Sequence, residues 1–578
     1  MRKVKKGFAA GLSLAMTAVV LAGCGSGSTG TTTAASTSDA ASESEAQTAE
    51  NTESSGSTES TAAASTEAAT GEDGPFGKYP EPITISVVKD LGQQPQDFQE
   101  GDDLENNVWT RYDEENYNIT FDWLWSTTSD QYPSKVNIAI TSDDIPDIMK
   151  VNAQQFKMMV DNEQVYDLTD LYDKYTSDYT DEILKSDGGA GLQSATFDGK
   201  LLGIPKVTGS LMSANVLWVR TDWLDKLGLK LPETVDDLYK ICDAFVNDDP
   251  DGDGKADTYA LGLNKDLFDN GYAVSEGFFN MYGAYPNIWI EKDGKLAYGS
   301  IQPECKDALE NLQKLYTEGY IDPEFGVKDA SKVNEDACAG KFGMMFGTFW
   351  NMAWLNDTKV ENPTMEWVPV AIPGGASAQI PFGVTEYYVV SKDCEHPEAV
   401  FKLLNIYLDK IYGEHAESTV YGITPDGLGP YDYPVVTLEP PMKNFDAAEH
   451  VTEAMETNDP SKLNEEEKNY YDLCVNCASG DYTNSAWHQY KMFGPNGSLT
   501  VDKTYWDNNK IVEDAYHGAP TDTISEKKPT LSKQELTDFT AIIMGESTDR
   551  FDSFVENWKT LGGDQITEEV NEWYSENK

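Results

Sequence analysis

Apolar residues fall into three regimes along this 578-residue chain. Residues 8–21 are a nearly unbroken apolar run, preceded by Arg2, Lys3, Lys5 and Lys6 and followed by the small residues Ala22 and Gly23. Residues 25–74 show no period and almost no large apolar side chain. From about residue 80 the periods of strands and helices take over. Ile83-Thr84-Ile85-Ser86-Val87-Val88 alternates and predicts a strand. A helix is predicted around 106–116, a second strand over 119–124, a helix near 134–141, and an apolar run at Ile145-Pro146-Asp147-Ile148-Met149. Such alternation predicts an α/β fold with mixed, mainly parallel sheets and ligand contacts at the strand ends. A second phase starts at residue 197 and includes the β-rich Val216-Leu217-Trp218-Val219-Arg220. Thr234 with Asp237 three residues later predicts a capped helix. Helices follow over about 303–318 and 397–408, and the C-terminal third is helix-rich, ending in 551–558 and 566–574.

The first two regimes are not part of a folded core. A basic stretch, a short apolar run and small residues build a cleaved export signal, and the run is too short for a comfortable membrane span. Residues 25–74 are nearly all Gly, Ser, Thr, Ala, Glu and Asp, which bury too little apolar surface to offset the entropy of ordering, so a flexible acidic tether is expected there. The chain holds 43 basic and 99 acidic residues, a formal net charge of −56. That excess makes nucleic acid an unsuitable partner and gives no adhesion to anionic lipid without an anchor.

Cysteines are few. Cys242, Cys305, Cys338 and Cys394 sit singly in apolar contexts and read as small buried hydrophobes. Cys474-Val-Asn-Cys477 lacks the strand-then-helix setting of a redox pair and further ligands for zinc, which leaves an ordinary thiol pair or a local disulfide. No G-x-S-x-G elbow, P-loop or H-E-x-x-H occurs, and the five His are scattered.

Two features carry chemistry. In Asp249-Pro250-Asp251-Gly252-Asp253-Gly254-Lys255-Ala256-Asp257, acids stand at positions 1, 3, 5 and 9 of an EF-hand count, with Gly at 6. That spacing wraps hard oxygens around one Ca2+, with Asp249, Asp251, Asp253 and Asp257 as carboxylate ligands and Lys255 offering its carbonyl. Ala260 stands where an EF-hand places its bidentate Glu, and the other reading is a solvated acidic turn. The second feature is aromatic: 13 Trp and 30 Tyr. Sugar rings stack their C–H faces on aromatic planes while carboxylates, amides and cations take the hydroxyls. Lys89 and Asp90 close the first strand, Trp125 closes the second, and Trp350 and Trp354 follow an apolar strand that breaks at Gly347. Trp223, Trp367 and Trp558 read as core. Arg220 and Asp222, at a strand-to-helix turn, serve either a cleft or an interlobe ion pair.

The order of several segments resembles the family 1 extracellular solute-binding proteins, especially the lipoprotein and alginate-binding type. Gly199-Lys200-Leu201-Leu202-Gly203-Ile204-Pro205 is similar to the crossover into the second lobe of maltose-binding proteins. Gly340-Lys341-Phe342-Gly343-Met344-Met345 with Phe349-Trp350 resembles the strand and tryptophan that precede the sugar. Gly383-Val384-Thr385-Glu386-Tyr387-Tyr388, then His396-Pro397-Glu398-Ala399, looks like the return to the first lobe. Leu21-Ala22-Gly23-Cys24 resembles a bacterial lipoprotein signal, in which Cys24 becomes the acylated (palmitate-bearing) first residue.

The resemblance implies a two-lobe, periplasmic-binding-protein-like (type II) fold that closes on its ligand by a hinge. It implies a signal peptide over 1–23, an acylated cysteine and linker over 24–79, lobe 1 over 80–207 plus 377–430, and lobe 2 over 208–376 plus 431–578. The ligand expected is a carbohydrate, stacked on Trp350 and Trp354 and held by Lys89, Asp90, Trp125, Phe279, Asn280, Tyr282, Glu386 and Tyr387. Phe279, Asn280 and Tyr282 sit where maltose-binding proteins place a stacking tyrosine, and Thr258 stands where the alginate-binding type completes its calcium shell. The implied partners are the permease subunits of an ABC transporter, with the protein a monomer held to the outer face of the cell membrane by lipid. The remaining classes are a secreted glycoside-active enzyme and a cell-surface glycan-adhesion module.

Overall fold

The computed structural model describes residues 73–92, 97–268, 271–424 and 428–578. The signal, Cys24 and most of the tether lie outside the described residues.

Lobe 1 is built on the strand Ile83–Asp90, whose Val87 and Val88 are fully buried. It pairs in parallel with Ile119–Thr127 on one side and with Ile148–Asn152 on the other. The return strand Glu386–Val390 runs antiparallel to Ile148–Asn152 and then to Ile204–Pro205, which completes a five-stranded sheet. The helix Val108–Tyr117 between the first two strands starts at a capping box on Asn107 and stops at Asn118, which adopts the left-handed conformation (φ 57°). Helices Tyr132–Ser142, Ala153–Asp161 and Ala399–Ile411 cover the sheet, and the core includes Ile119, Met149, Phe156, Val389 and Leu404.

Lobe 2 centres on Val216–Arg220 and Phe342–Gly347, every residue of which is buried. These two strands are antiparallel to each other, Trp367–Val370 is antiparallel to the first, and Tyr272–Val274 to the second. Among the described residues of this central sheet Tyr259–Leu261 adds the one parallel ladder, so the sheets are mixed, with parallel pairing predominant in part of lobe 1 and antiparallel pairing predominant here. Gly343 admits Phe245 and Trp223 against the sheet: a Cβ there would lie 2.4 Å from the Phe245 ring. Trp223, Trp367 and Trp558 are core residues, as expected.

The C-terminal helices sandwich this sheet. Lys443–Thr457, Glu465–Ala478, Ala486–Phe493 and Ser498–Asp507 dock through Trp487 onto the face bearing Trp218, Met352 and Trp367. Asp522–Ile543, Asp549–Trp558 and Asp564–Asn577 cover the opposite face through Phe539, Ile542, Phe554 and Trp558. Cys474 and Cys477 lie inside one of these helices as free, buried thiols.

The lobe boundaries shift from those expected. Ala378–Ile380 pairs in parallel with Ile511–Glu513, and the Gln379 amide N–H donates to Pro286 O, so 377–380 belong to lobe 2 and the chain returns over 381–385. Tyr433, Val436 and Leu438 are buried in the lobe 1 core, which moves the last crossing from 430 to about Pro440-Pro441.

Candidate ligand-binding cleft

Because the parallel strands of lobe 1 share a direction, their ends bring charged residues to one edge. Lys150 lies 2.8 Å from Glu386 and 3.4 Å from Asp90, and Lys206 lies 3.4 Å from the other oxygen of Glu386. Asp90 also accepts from the Ser129 hydroxyl at 2.7 Å and the Gly92 amide at 3.0 Å. Burial pulls the Asp90 carboxyl up, but these donors and Lys150 outweigh it and hold it below its ordinary value. Lys89 is buried and donates to the Pro434 carbonyl at 2.8 Å. Burial pushes its ammonium down to about 8, helped by Lys150 and Lys206 and opposed by Asp432 and Asp90. The edge is an alternating array of cations and carboxylates, rich in groups that grip hydroxyls.

Trp125 sits beside this array but turns toward the helix Tyr132–Ser142, where it packs on Tyr132 and takes Lys135 over its ring at 5.1 Å. On lobe 2 the chain breaks after Gly347 into a short aromatic ladder. Trp354 stacks on Tyr272 at 4.8 Å, and Trp350 lies 5.4 Å from Trp354. Trp350 is half-buried and Trp354 is 43% exposed, so both retain surface.

Other expected site residues are placed in the cores. Phe279 is fully buried, stacked on Phe539 with ring centres 5.9 Å apart. Asn280 is buried and its amide donates to Gln379 and to the Ala284 carbonyl. Tyr282 packs on Phe278, with its hydroxyl 3.4 Å from that of Tyr239. Tyr387 stacks on Phe156 at 4.6 Å and bonds to the Ser194 hydroxyl at 2.8 Å. The reason is the strand period: Glu386 stands at the sheet edge, so its neighbour Tyr387 points into the lobe. Phe279 and Asn280 are enclosed by the lobe 2 core and Tyr282 is partly buried against it, whereas Tyr387 also lines a second cavity, of about 450 Å³, with Asn152, Trp289 and Asp514. Arg220 and Asp222 pair at 2.6 Å, but within lobe 2, stacked on Trp223.

Sequence reasoning did not select Lys150 or Lys206. Their signal was a lone cation in an apolar strand (Ile148-Met149-Lys150-Val151) and another directly after Ile204-Pro205. It also missed a cavity of about 700 Å³ that begins at Lys206 and runs between the 407–439 segment of lobe 1 and the helices 443–493.

A family model described as bacterial extracellular solute-binding protein matches residues 95–412, more than half of the chain. The chain belongs to this solute-binding family. It is 26% identical over 462 residues to lipoprotein LipO of Bacillus subtilis, covering 77% of this chain and 85% of LipO. It is 27% identical over 404 residues to the polygalacturonan/rhamnogalacturonan-binding protein YtcQ of the same organism, covering 67% and 72%. Its fold is that of the substrate-binding protein FusA of Streptococcus pneumoniae, solved with kestose (TM-score 0.55, 18% identity, 86% of this chain and all of that one) and as an EF-hand mutant (TM-score 0.54).

In this solute-binding chain the acidic loop lies between helix Val235–Asn247 and strand Tyr259–Leu261. Asp249, Asp251 and Asp253 bring carboxylate oxygens within 4.8 Å of one another. Gly252 and Gly254 both take positive φ of 81°, the turn that lets the loop fold around a centre. Asp257 faces Lys341 at 2.8 Å, while its second oxygen is buried without a partner. The buried Thr258 donates its hydroxyl to the Phe245 carbonyl at 2.7 Å. Lys255 pairs through its side chain with Asp253, leaving only its carbonyl to offer. The three converging carboxylates of Asp249, Asp251 and Asp253 are hard oxygen donors of the kind a divalent cation takes, while Asp257 stands outside that cluster.

Proposed function

We propose that this chain captures a carbohydrate, an oligosaccharide, between its lobes and hands it to the permease subunits of an ABC transporter. The observation that carries this reading is the lobe 1 array of Lys89, Asp90, Lys150, Lys206 and Glu386, whose Lys206 also lines an interlobe cavity. Alternating donors and acceptors suit a ligand made of hydroxyls, and the part of Trp350 that stays accessible offers a stacking surface for such a ring, whereas Trp354 opens onto a separate pocket with Asn356 and Thr483. The relatives' own ligands, a pectic polysaccharide for YtcQ and kestose for FusA, support the same class. Binding rather than hydrolysis is supported by the relatives, which are named as binding proteins. Cys24, as lipid acceptor, would hold the protein on the outer face of the membrane. The loop residues Asp249, Asp251, Asp253 and Asp257, with the Lys255 carbonyl, would hold Ca2+ as a structural brace.

The test pairs affinity with stability. Trp350→Ala should weaken binding of the best oligosaccharide by roughly thirtyfold, about 2 kcal/mol for an aromatic anchor, with little change in melting temperature. Retained affinity with a large loss of stability would make Trp350 a core residue and move the site elsewhere.

A further inference from the structure

The interlobe cavity is lined by tyrosines and by carboxylates that outnumber its ammonium groups. Tyr412, Tyr431 and Tyr470 bring aromatic surface to it, and Tyr431 is 43% exposed. Asp432, Glu439, Glu465, Glu466 and Asp472 face Lys206, Lys443 and Lys468. Two of these cations are already engaged. Lys443 lies 3.0 Å from Glu439 and 2.8 Å from Glu466, and Lys206 is paired with Glu386. Lys468 is exposed at the surface, as are Glu465 and Asp472, and solvent screens all three. The Tyr470 hydroxyl donates to Glu466 at 2.7 Å while its ring stacks on Phe493 at 3.9 Å, which fixes that wall. The volume, about 700 Å³, is within the roughly 300–1,000 Å³ of small-molecule sites. Lys206 joins the cavity to the strand-end array, and Tyr470 shares an apolar cluster with Trp350. Lys206 is therefore common to the cavity wall and the strand-end array.

We propose that this chamber is the selectivity subsite of the cleft, receiving part of a neutral oligosaccharide and excluding uronic-acid chains. The inference rests on the carbohydrate reading and narrows it. Hydroxyls can donate to the surplus carboxylates, and ring faces can lie on the tyrosines. A uronate carboxylate entering there would meet like charge with its would-be partners Lys206 and Lys443 already neutralised, a repulsion that builds specificity by rejection. On this account the chain differs in ligand charge from YtcQ, a polygalacturonan/rhamnogalacturonan-binding protein.

The experiment is calorimetry on the full chain with maltotetraose, nystose, galactotetraose and tetragalacturonate, with melting temperatures recorded for every variant. Wild type should bind a neutral tetrasaccharide and show no measurable affinity for tetragalacturonate. Tyr431→Ala, at an exposed ring, should weaken the neutral ligand by about tenfold without a change in melting temperature. The double variant Glu439→Gln/Glu466→Gln, which releases Lys443, should acquire affinity for tetragalacturonate. Wild type preferring tetragalacturonate, unchanged affinity in Tyr431→Ala, or a double variant still blind to tetragalacturonate overturns the chamber assignment. Wild type binding none of the four sugars overturns the carbohydrate reading itself, a result distinguishable from the other three.

Discussion

Buried side chains in lobe 2 set a pH dependence that individual residues can report. Glu535, on helix Asp522–Ile543, accepts from the Tyr298 hydroxyl at 3.3 Å through one oxygen and has no partner at the other. Burial pushes its carboxyl up to about 7, against the opposing pull of Ser300, Tyr298 and Lys528. Burial likewise raises Glu513 to about 7 and Asp514 to about 6. A carboxyl whose folded pKa exceeds its unfolded value binds its proton more tightly when folded. Its stabilisation is complete below the ordinary value of 4.5 and is lost as pH rises through about 7. Melting temperature should therefore fall between about pH 5 and about pH 8. Glu535→Gln, neutral throughout, should flatten that fall, gaining stability over wild type at the upper pH and none at the lower. Parallel pH profiles for the two proteins would show that Glu535 does not carry the effect. Residue-scale legibility follows the same logic of neighbours. Lys89 and Asp90 were readable because a charged pair ended an alternating strand, whereas the burial of Phe279, Asn280 and Tyr387 depends on Phe539, Gln379 and Phe156, distant in sequence.

Elements with local signals were legible and those defined by distant pairing were not. The strands Ile83–Asp90 and Ile119–Thr127, the Thr234–Asp237 capping box and the terminal helices appear where the sequence pattern put them. The orientation of the lobe 2 strands was misread because Phe342–Gly347 is buried on both faces, and so has no alternation, and its partners lie far along the chain. The same holds for Ala378–Ile380, assigned to lobe 2 only by Ile511–Glu513. The acidic loop is an element whose occupancy can be measured without any sugar. An ion bound only by the folded state stabilises it by mass action, about 2.7 kcal/mol at a hundred times its dissociation constant. Millimolar calcium should raise the melting temperature relative to chelator, and Asp251→Ala with Asp253→Ala should abolish the rise. Identical melting curves with chelator and with calcium would assign the loop to the solvated acidic turn.

At the scale of the molecule, two large cores are joined, among the described residues, by chain crossings near 206–209, 381–385 and 440–442, and if these act as a hinge a ligand touching both lobes would favour the closed form. The two-lobe plan was legible because the order of crossover, strand and return segments survives in sequence. The chamber was not, because its wall joins residues of lobe 1 to helices that follow the last crossing. Among the described residues no helix is long and apolar enough to cross a membrane, and the proposed lipid anchor at Cys24 is tested separately. Cys24→Ser should move the protein from the detergent phase to the aqueous phase, and a variant that stays with detergent would reject the lipid anchor. The central claim is capture without conversion. Its most direct test is titration calorimetry of wild type against neutral oligosaccharides, followed by chromatography of the recovered sugar. The account expects saturable one-to-one binding of at least one oligosaccharide, recovered intact. Failure to bind any of them, or recovery of cleaved products, would contradict it.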